Sequence, residues 1–340
     1  MRNAIKEYLE YTDKEKSELW DNATFVFDTN VLLNLYRYSK ETREVLLSSM
    51  EKIKDRIWMP YQIAYEFMKN REETIFDTAN RYERIRKSSE KFLNECRNEL
   101  RLKQDDKEFS NLTKYIQKWI SKKESMKMEI IDVNDDIILQ KLLELFDGRV
   151  GNSYDSNILE KIQKEGKERY DNKVPPGYKD QNKSSNMYGD LILWKQIMDF
   201  ALKNKSNIIF VTVDQKEDWW TTLHGKTLGP RVELKKEFSN VTEQKFHMYN
   251  VDSFFKHYND MNGTYNQSVI EEVQSDMITN SNISKVYDNL ATSLVSLQSY
   301  LTYFETNKEQ IYKAFSAIAN FSKAISPSDD ELLGEDSNEE

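Results

Sequence analysis

Residues 24–34 read TFVFDTNVLLN: a β-branched and aromatic run, one aspartate, then a second apolar run. A carboxylate is costly to take out of water unless a cation or hydrogen bonds offset the loss. Asp28 therefore either ends a strand at the surface or sits in a pocket that shares its charge. TFVF has the make-up of a short buried strand, and VLLNLYRYS starts a helix. NIIFVTVD (207–214) repeats the pattern, with consecutive apolar positions closed by Asp214. Such a run is buried on both faces, as in a parallel sheet.

Working outward, RIWM (56–59) reads as a further strand, and Pro60 suits the first turn of the helix YQIAYEFMKNR. DDIILQKLLELF (135–146) and YGDLILWKQIMDFALKN (188–204) have the periodicity of amphipathic helices. KFHMYNV (245–251) is a last strand and SFFKHY a last helix. This alternation is that of an α/β fold around a central parallel sheet. Residues 67–127 are charged and almost free of Gly and Pro, which predicts an inserted helical hairpin. Residues 147–188 hold four glycines and the pair Pro175-Pro176, and are expected to be loop.

The 340 residues carry 58 Asp and Glu against 49 Lys and Arg, a net charge of -9. Seven of those acids fall in residues 329–340, expected to be a disordered tail, and the remainder balances at 51 acids to 49 bases. Residues 67–127 run the other way, with 16 basic and 11 acidic residues. A mildly basic arm on a near-neutral body is compatible with nucleic acid but does not demand it. No apolar run approaches the roughly 20 residues needed to cross a bilayer. The opening MRNAIKEYLEYTDKEK lacks the apolar stretch of a signal peptide, and Cys96 is alone. A cytoplasmic protein without membrane association is expected.

In an open parallel sheet, ligands bind beyond the carboxyl ends of the strands. Asp28 and Asp214 both follow strands there, Glu66 lies two turns into the helix after the second strand, and Asp190 opens the helix before NIIFVTVD. Each taken singly reads as a turn former or a helix cap. Four carboxylates on one edge repel unless a cation intervenes, and hard oxygen ligands of this kind suit Mg²⁺ or Mn²⁺. Zinc does not fit, because His224, His247 and His257 lack ligand spacing.

FDTNVLLNLYRYS, MPYQIAYEFMKNR, VPPGYKD with YGDLILW, IFVTVDQKEDWW and GPRVELKKEF occur in that order. Together they resemble the PIN-domain nucleases, in particular a bacterial PIN-like branch, over roughly residues 5–255. The resemblance implies a three-layer α/β fold with a five-stranded parallel sheet, a divalent-metal site and phosphodiesterase activity, usually on RNA. It places the metal-binding and catalytic acids at Asp28, Glu66, Asp190 and Asp214, with Asn30, Thr212, Asp218 and Asp180 in support. Lys183, Lys216 and Arg231 would face substrate, joined by Arg81 and Arg84 of the arm. Lys91, Lys114 and Lys118 extend the arm's basic stripes. Toxin-like growth arrest, defence against phage and RNA processing all use such enzymes, and DNA is a second possible substrate.

These readings divide the chain into a PIN-like domain over 1–258 with its arm at about 67–127, a helical extension over 259–328, and the acidic tail. Ile283, Tyr287, Leu290, Leu294, Leu297, Leu301 and Phe304 form a heptad stripe that resumes at Ile311, Phe315 and Ile318. The stripe predicts packing against a second copy of the chain or a partner protein. Two rival enzymes fail on residues. A haloacid-dehalogenase-like phosphatase wants Asp at position 30, which is Asn, and a dinucleotide site wants a Gly-rich turn after the first strand. A PIN fold that binds nucleic acid without cutting is the remaining alternative.

Overall fold

The computed structural model describes residues 1, 5, 7–125, 132–224, 226–262 and 267–274. The chain divides into two compact units, Met1–Met277 and Ile278–Glu340, and every described residue lies in the first. The heptad stripe and the acidic tail fall outside the described residues.

The first unit opens with α1 (Asp13–Asn22), β1 (Thr24–Phe27), α2 (Thr29–Asn34) and α3 (Lys40–Lys52). Then come α4 (Tyr61–Ala79), α5 (Arg81–Glu99), α6 (Lys107–Ser125), α7 (Ile137–Leu145) and α8 (Ser156–Asp171). The rest is α9 (Gly189–Asn204), β2 (Ile208–Thr212), β3 (Trp220–Leu223), β4 (Lys226–Pro230), α10 (Val232–Thr242), β5 (Phe246–Asn250) and α11 (Val251–Asn262).

The central sheet is parallel with order β1-β2-β5, its register pairing Phe27 with Val211 and Thr212 with Asn250. Side chains alternate across a sheet, so Phe25, Phe27, Ile209, Val211 and Tyr249 share one face. Trp20 of α1 and Phe254 of α11 cover it, Phe254 meeting the Phe27 ring edge-on at 5.4 Å. Val26, Phe210, Phe246 and Met248 share the other face, where Trp194 of α9 and Phe238 of α10 pack on Phe246 at 4.9 and 5.4 Å. Helices on both faces make three layers, which is why β2 is buried at all five positions.

Four expectations change. Residues 56–59 form single parallel bridges, Ile57 to Phe25 and Met59 to Val150, instead of a regular strand. A tight helical turn at Lys54–Arg56 precedes them and Pro60 follows, so the segment is too short to propagate. The regular sheet thus has three strands where five were expected, with two bridge-length segments beyond β1. The expected loop over 147–188 contains α8, sixteen residues capped by Asp155, whose side chain accepts from Ile158 N at 2.9 Å. Gly166 inside α8 is a packing contact and not a breaker, because a Cβ there would lie 2.5 Å from Tyr188. The antiparallel β3–β4 hairpin was not anticipated. The charged arm begins later than expected: α4 buries Ile63, Phe67 and Ile75 in the core, and α5 pairs with α6 as the hairpin.

Beyond α11, a helix over 267–274 returns to the start of α3. There the Glu272 carboxylate accepts from Ser39 N at 2.7 Å, Ser39 Oγ at 2.6 Å and Thr42 Oγ1.

Candidate active site

Register builds the first half of the site. Asp28 continues the β1 ladder, its N–H donating to Val211 O at 2.9 Å, so its side chain and that of Thr212 emerge as neighbours. Thr212 Oγ1 donates to Asp28 Oδ2 at 2.7 Å, and Thr29 N donates to Asp28 Oδ1 at 2.7 Å. Asp28 therefore caps α2 and also faces the other acids. Burial pushes its carboxyl up to about 7; the Thr212 bond opposes this, and the charges of Asp190, Asp214 and Glu66 add to it.

Glu66 points back from the second turn of α4. Its carboxylate accepts from Thr29 Oγ1 at 3.0 Å, Gln62 Nε2 at 2.7 Å and Asn186 Nδ2 at 2.6 Å. Thr29 thus holds Asp28 through its amide and Glu66 through its hydroxyl. Asn186 is admitted by Gly189, where a Cβ would lie 2.5 Å from its amide nitrogen.

The second half gathers around an ammonium. Lys216 Nζ lies 3.1 Å from Asp180 Oδ1, 3.1 Å from Asp214 Oδ2 and 3.7 Å from Asp190 Oδ2. Burial works against the charge of Lys216, but Asp190, Asp214 and Asp180 outweigh it and hold the ammonium well above its ordinary range. Asp190 sits in the first turn of α9 without capping it, and Trp219 Nε1 donates to its Oδ2 at 3.3 Å. Burial pushes Asp190 up to about 6; Lys216 opposes this, while Asp180, Asp214 and Asp218 add to it. The second indole, Trp220, donates to Asp214 O at 2.6 Å.

Asp218 is fully buried. Its Oδ2 accepts from Gly177 N and Lys179 N, both at 3.1 Å, while its Oδ1 has no hydrogen-bond partner among the described residues. Burial raises its carboxyl above the usual range. This aspartate ties the β2–β3 connection to the PPGYKD loop and so carries Asp180 to the cluster. Gly177 at that junction has φ +92, a left-handed conformation that suits glycine, and its Cα faces Asp190 and Tyr170 too closely for a side chain.

The fold thus brings together Asp28, Glu66, Asp180, Asp190, Thr212, Asp214, Lys216 and Asp218. Lys183 stands at the rim, donating to Asp180 Oδ2 at 2.6 Å. Arg231 precedes α10, paired with Glu233 at 2.6 Å and reaching Tyr178 Oη at 3.3 Å. Asn30 is exposed on α2 with no bond to the cluster. On the arm, Arg84 pairs with Asp77 at 2.8 Å, Lys91 lies 3.9 Å from Glu95, and Arg81 reaches Arg37 O at 3.5 Å. Sequence reasoning missed Gln62, Thr29, Asn186 and the two tryptophans. Gln62 was legible, since it stands one helical turn before Glu66.

The donor set is hard oxygen throughout and fits Mg²⁺ or Mn²⁺ in kind. Among the described residues, no three His, Cys, Asp or Glu side chains stand close enough to hold a metal ion as placed. Neutral donors, Lys216 and, at Asp180, Lys183 hold the acids instead. Burial first, and the neighbouring carboxylates after it, raise the carboxyls of Asp28 and Asp190, and a cation beside them would oppose both effects. Among the described residues, no helix is long and apolar enough to cross a membrane.

One family profile, described as PIN like domain, matches residues 24–234, more than half of the chain. No curated protein and no solved structure matches the chain.

Proposed function

The chain belongs to the family of PIN-like domains, and from that premise we propose that it is a divalent-metal-dependent endonuclease acting on single-stranded RNA. The observation that carries this reading is the meeting of Asp28, Glu66, Asp190 and Asp214 beyond the carboxyl ends of β1 and β2, with two of the four carboxyls pushed up. Mg²⁺ or Mn²⁺ held by these acids would supply a Lewis acid that activates water and neutralises charge on the phosphodiester. The chain's own residues do the rest. Thr212 and Thr29 fix the orientation of Asp28, and Thr29, Gln62 and Asn186 fix that of Glu66. The indole of Trp219 steers Asp190, and Lys183 and Arg231 supply positive charge at the rim where phosphates would lie.

A second reading has one observation on its side. Because Lys216 already neutralises part of the cluster, the same residues could serve a domain that binds nucleic acid without cutting it. Labelled RNA, single-stranded DNA and duplex DNA, each with Mg²⁺, with Mn²⁺ and with EDTA, separate the two. Metal-dependent cuts in RNA that vanish in Asp28→Asn are expected. Binding with no cuts under any condition would leave the scaffold reading, and cuts confined to DNA would correct the substrate.

A further inference from the structure

The acids of this edge are balanced in two different ways. Asp180, Asp190 and Asp214 surround one ammonium, whose Nζ is 3.1, 3.7 and 3.1 Å from their nearest oxygens. Among the described residues, Asp28 and Glu66 have only neutral donors: Thr29, Thr212, Gln62 and Asn186. On this geometry we propose that Lys216 fills one of two cation positions at the acidic edge, so that the chain takes a single divalent ion, on the Asp28–Glu66 side. The inference rests on the nuclease reading above, narrows its metal-holding acids to Asp28 and Glu66, and adds the number of ions and the residue that sets it.

Lysine suits this part because its charge is a compact point, here shared by three carboxylates of which Asp180 and Asp214 are at hydrogen-bond distance. The position is also tied locally. Lys216 is two residues past Asp214, and its own N–H donates to Asp214 Oδ1 at 2.9 Å. An ion seeking the same three acids must displace an ammonium that cannot diffuse away, which weakens its binding by mass action. Two-metal phosphodiesterase sites hold their ions about 3.5–4 Å apart, between shared carboxylates. An ammonium among Asp180, Asp190 and Asp214 occupies the carboxylates that a second ion would need. Lys216 is thus a positioning residue that acts through the acids.

The test counts Mn²⁺ bound per full-length chain, by calorimetry and by the paramagnetic signal of free Mn²⁺, alongside RNA cleavage. The parent and Lys216→Arg are expected to take one ion, and Lys216→Met two. Melting of Lys216→Met is expected to fall below the parent in EDTA and to rise more steeply than the parent with Mn²⁺. A parent that takes one ion and cuts RNA while Lys216→Met also takes only one overturns this inference alone. A parent that takes two ions overturns it as well. A parent that takes none and cuts nothing brings it down together with the nuclease reading. If Lys216→Met does not fold, two other variants decide. The ion must be lost in Asp28→Asn and kept in Asp180→Asn; the opposite pattern, or loss in both, overturns the proposal.

Discussion

Asp28 does two things that usually belong to different aspartates. It caps α2, an interaction worth about 0.5–2 kcal/mol when replaced by alanine, and it faces three other carboxylates. Asparagine keeps the cap and removes the charge. Asp28→Asn is therefore expected to melt at or above the parent in EDTA, while RNA cleavage falls by orders of magnitude. Mg²⁺ is expected to raise the melting temperature of the parent and to raise that of the variant much less. A variant that melts clearly lower in EDTA and cuts at the parent rate would mark Asp28 as a cap alone. His247 gives a separate pH prediction. Burial, with Lys16 and Lys235 nearby, pushes it from 6.5 down to about 3, and its buried Nδ1 has no hydrogen-bond partner among the described residues. Between those values the unfolded chain binds a proton that the native chain refuses. The stability from this group is full above pH 6.5 and is lost as pH falls toward 3. His247→Phe keeps a ring between Tyr11 and Tyr249. Its melting temperature is expected to decline less than the parent's between pH 6.5 and pH 4; parallel declines would rule the assignment out.

Elements are joined by a few buried polar interactions whose removal should be felt far away. Asp136 caps α7 through Ile138 N and Leu139 N, accepts from Tyr36 Oη at 2.7 Å, and pairs with Arg71 of α4 at 2.5 Å. Arg71 and Asp136 are only 6% and 4% exposed. Asp136→Ala leaves the buried Arg71 guanidinium only its longer 3.4 Å contact with exposed Glu72, so a destabilisation of about 3–5 kcal/mol is expected in denaturant unfolding. A change within the usual range of surface substitutions would show that water replaces the carboxylate. Gly166 offers a test with the opposite sign to the rule. Gly to Ala inside a helix normally stabilises by about 1 kcal/mol. Here the new methyl meets the Tyr188 ring, and overpacking costs about 1–3 kcal/mol. Gly166→Ala is expected to melt lower than the parent; a higher melting point would mean that Tyr188 yields without cost.

For the whole molecule, the α5–α6 hairpin is predicted to help hold the substrate through its charge. Its basic residues are mostly exposed, and those with partners, such as Arg84 and Lys91, sit in surface ion pairs worth about 0–1 kcal/mol. Such pairs are readily exchanged for phosphates. Tyr115 and Trp119 stand exposed beside Lys114 and Lys118 on α6, the combination that stacks and tracks a single strand. Replacing Arg84, Lys91, Lys114 and Lys118 with Gln is expected to weaken RNA binding. It should also flatten the salt dependence by up to about 0.7 in log–log slope for each phosphate that is no longer neutralised. Filter binding across a salt series measures this, and an unchanged slope would make the hairpin ordinary surface.

The strands at TFVF and IIFVT, the helices that carry Glu66 and Asp190, and the position of Asp28 and Asp214 just past strands were legible in the residues themselves. Burial on both faces leaves an unbroken apolar run, and a polar residue that ends such a run marks the sheet edge. That 56–59 stops at bridges, that Gly166 continues a helix and that Lys216 lies within the acidic cluster follow from long-range packing. A glycine that breaks a helix and one that admits a neighbouring ring look alike in sequence, because the difference lies in what packs against it. The position of Lys216 depends on Asp180, Asp190 and Asp214 meeting from three separate segments. No local pattern encodes that meeting; the parallel register and the Asp218 tether produce it.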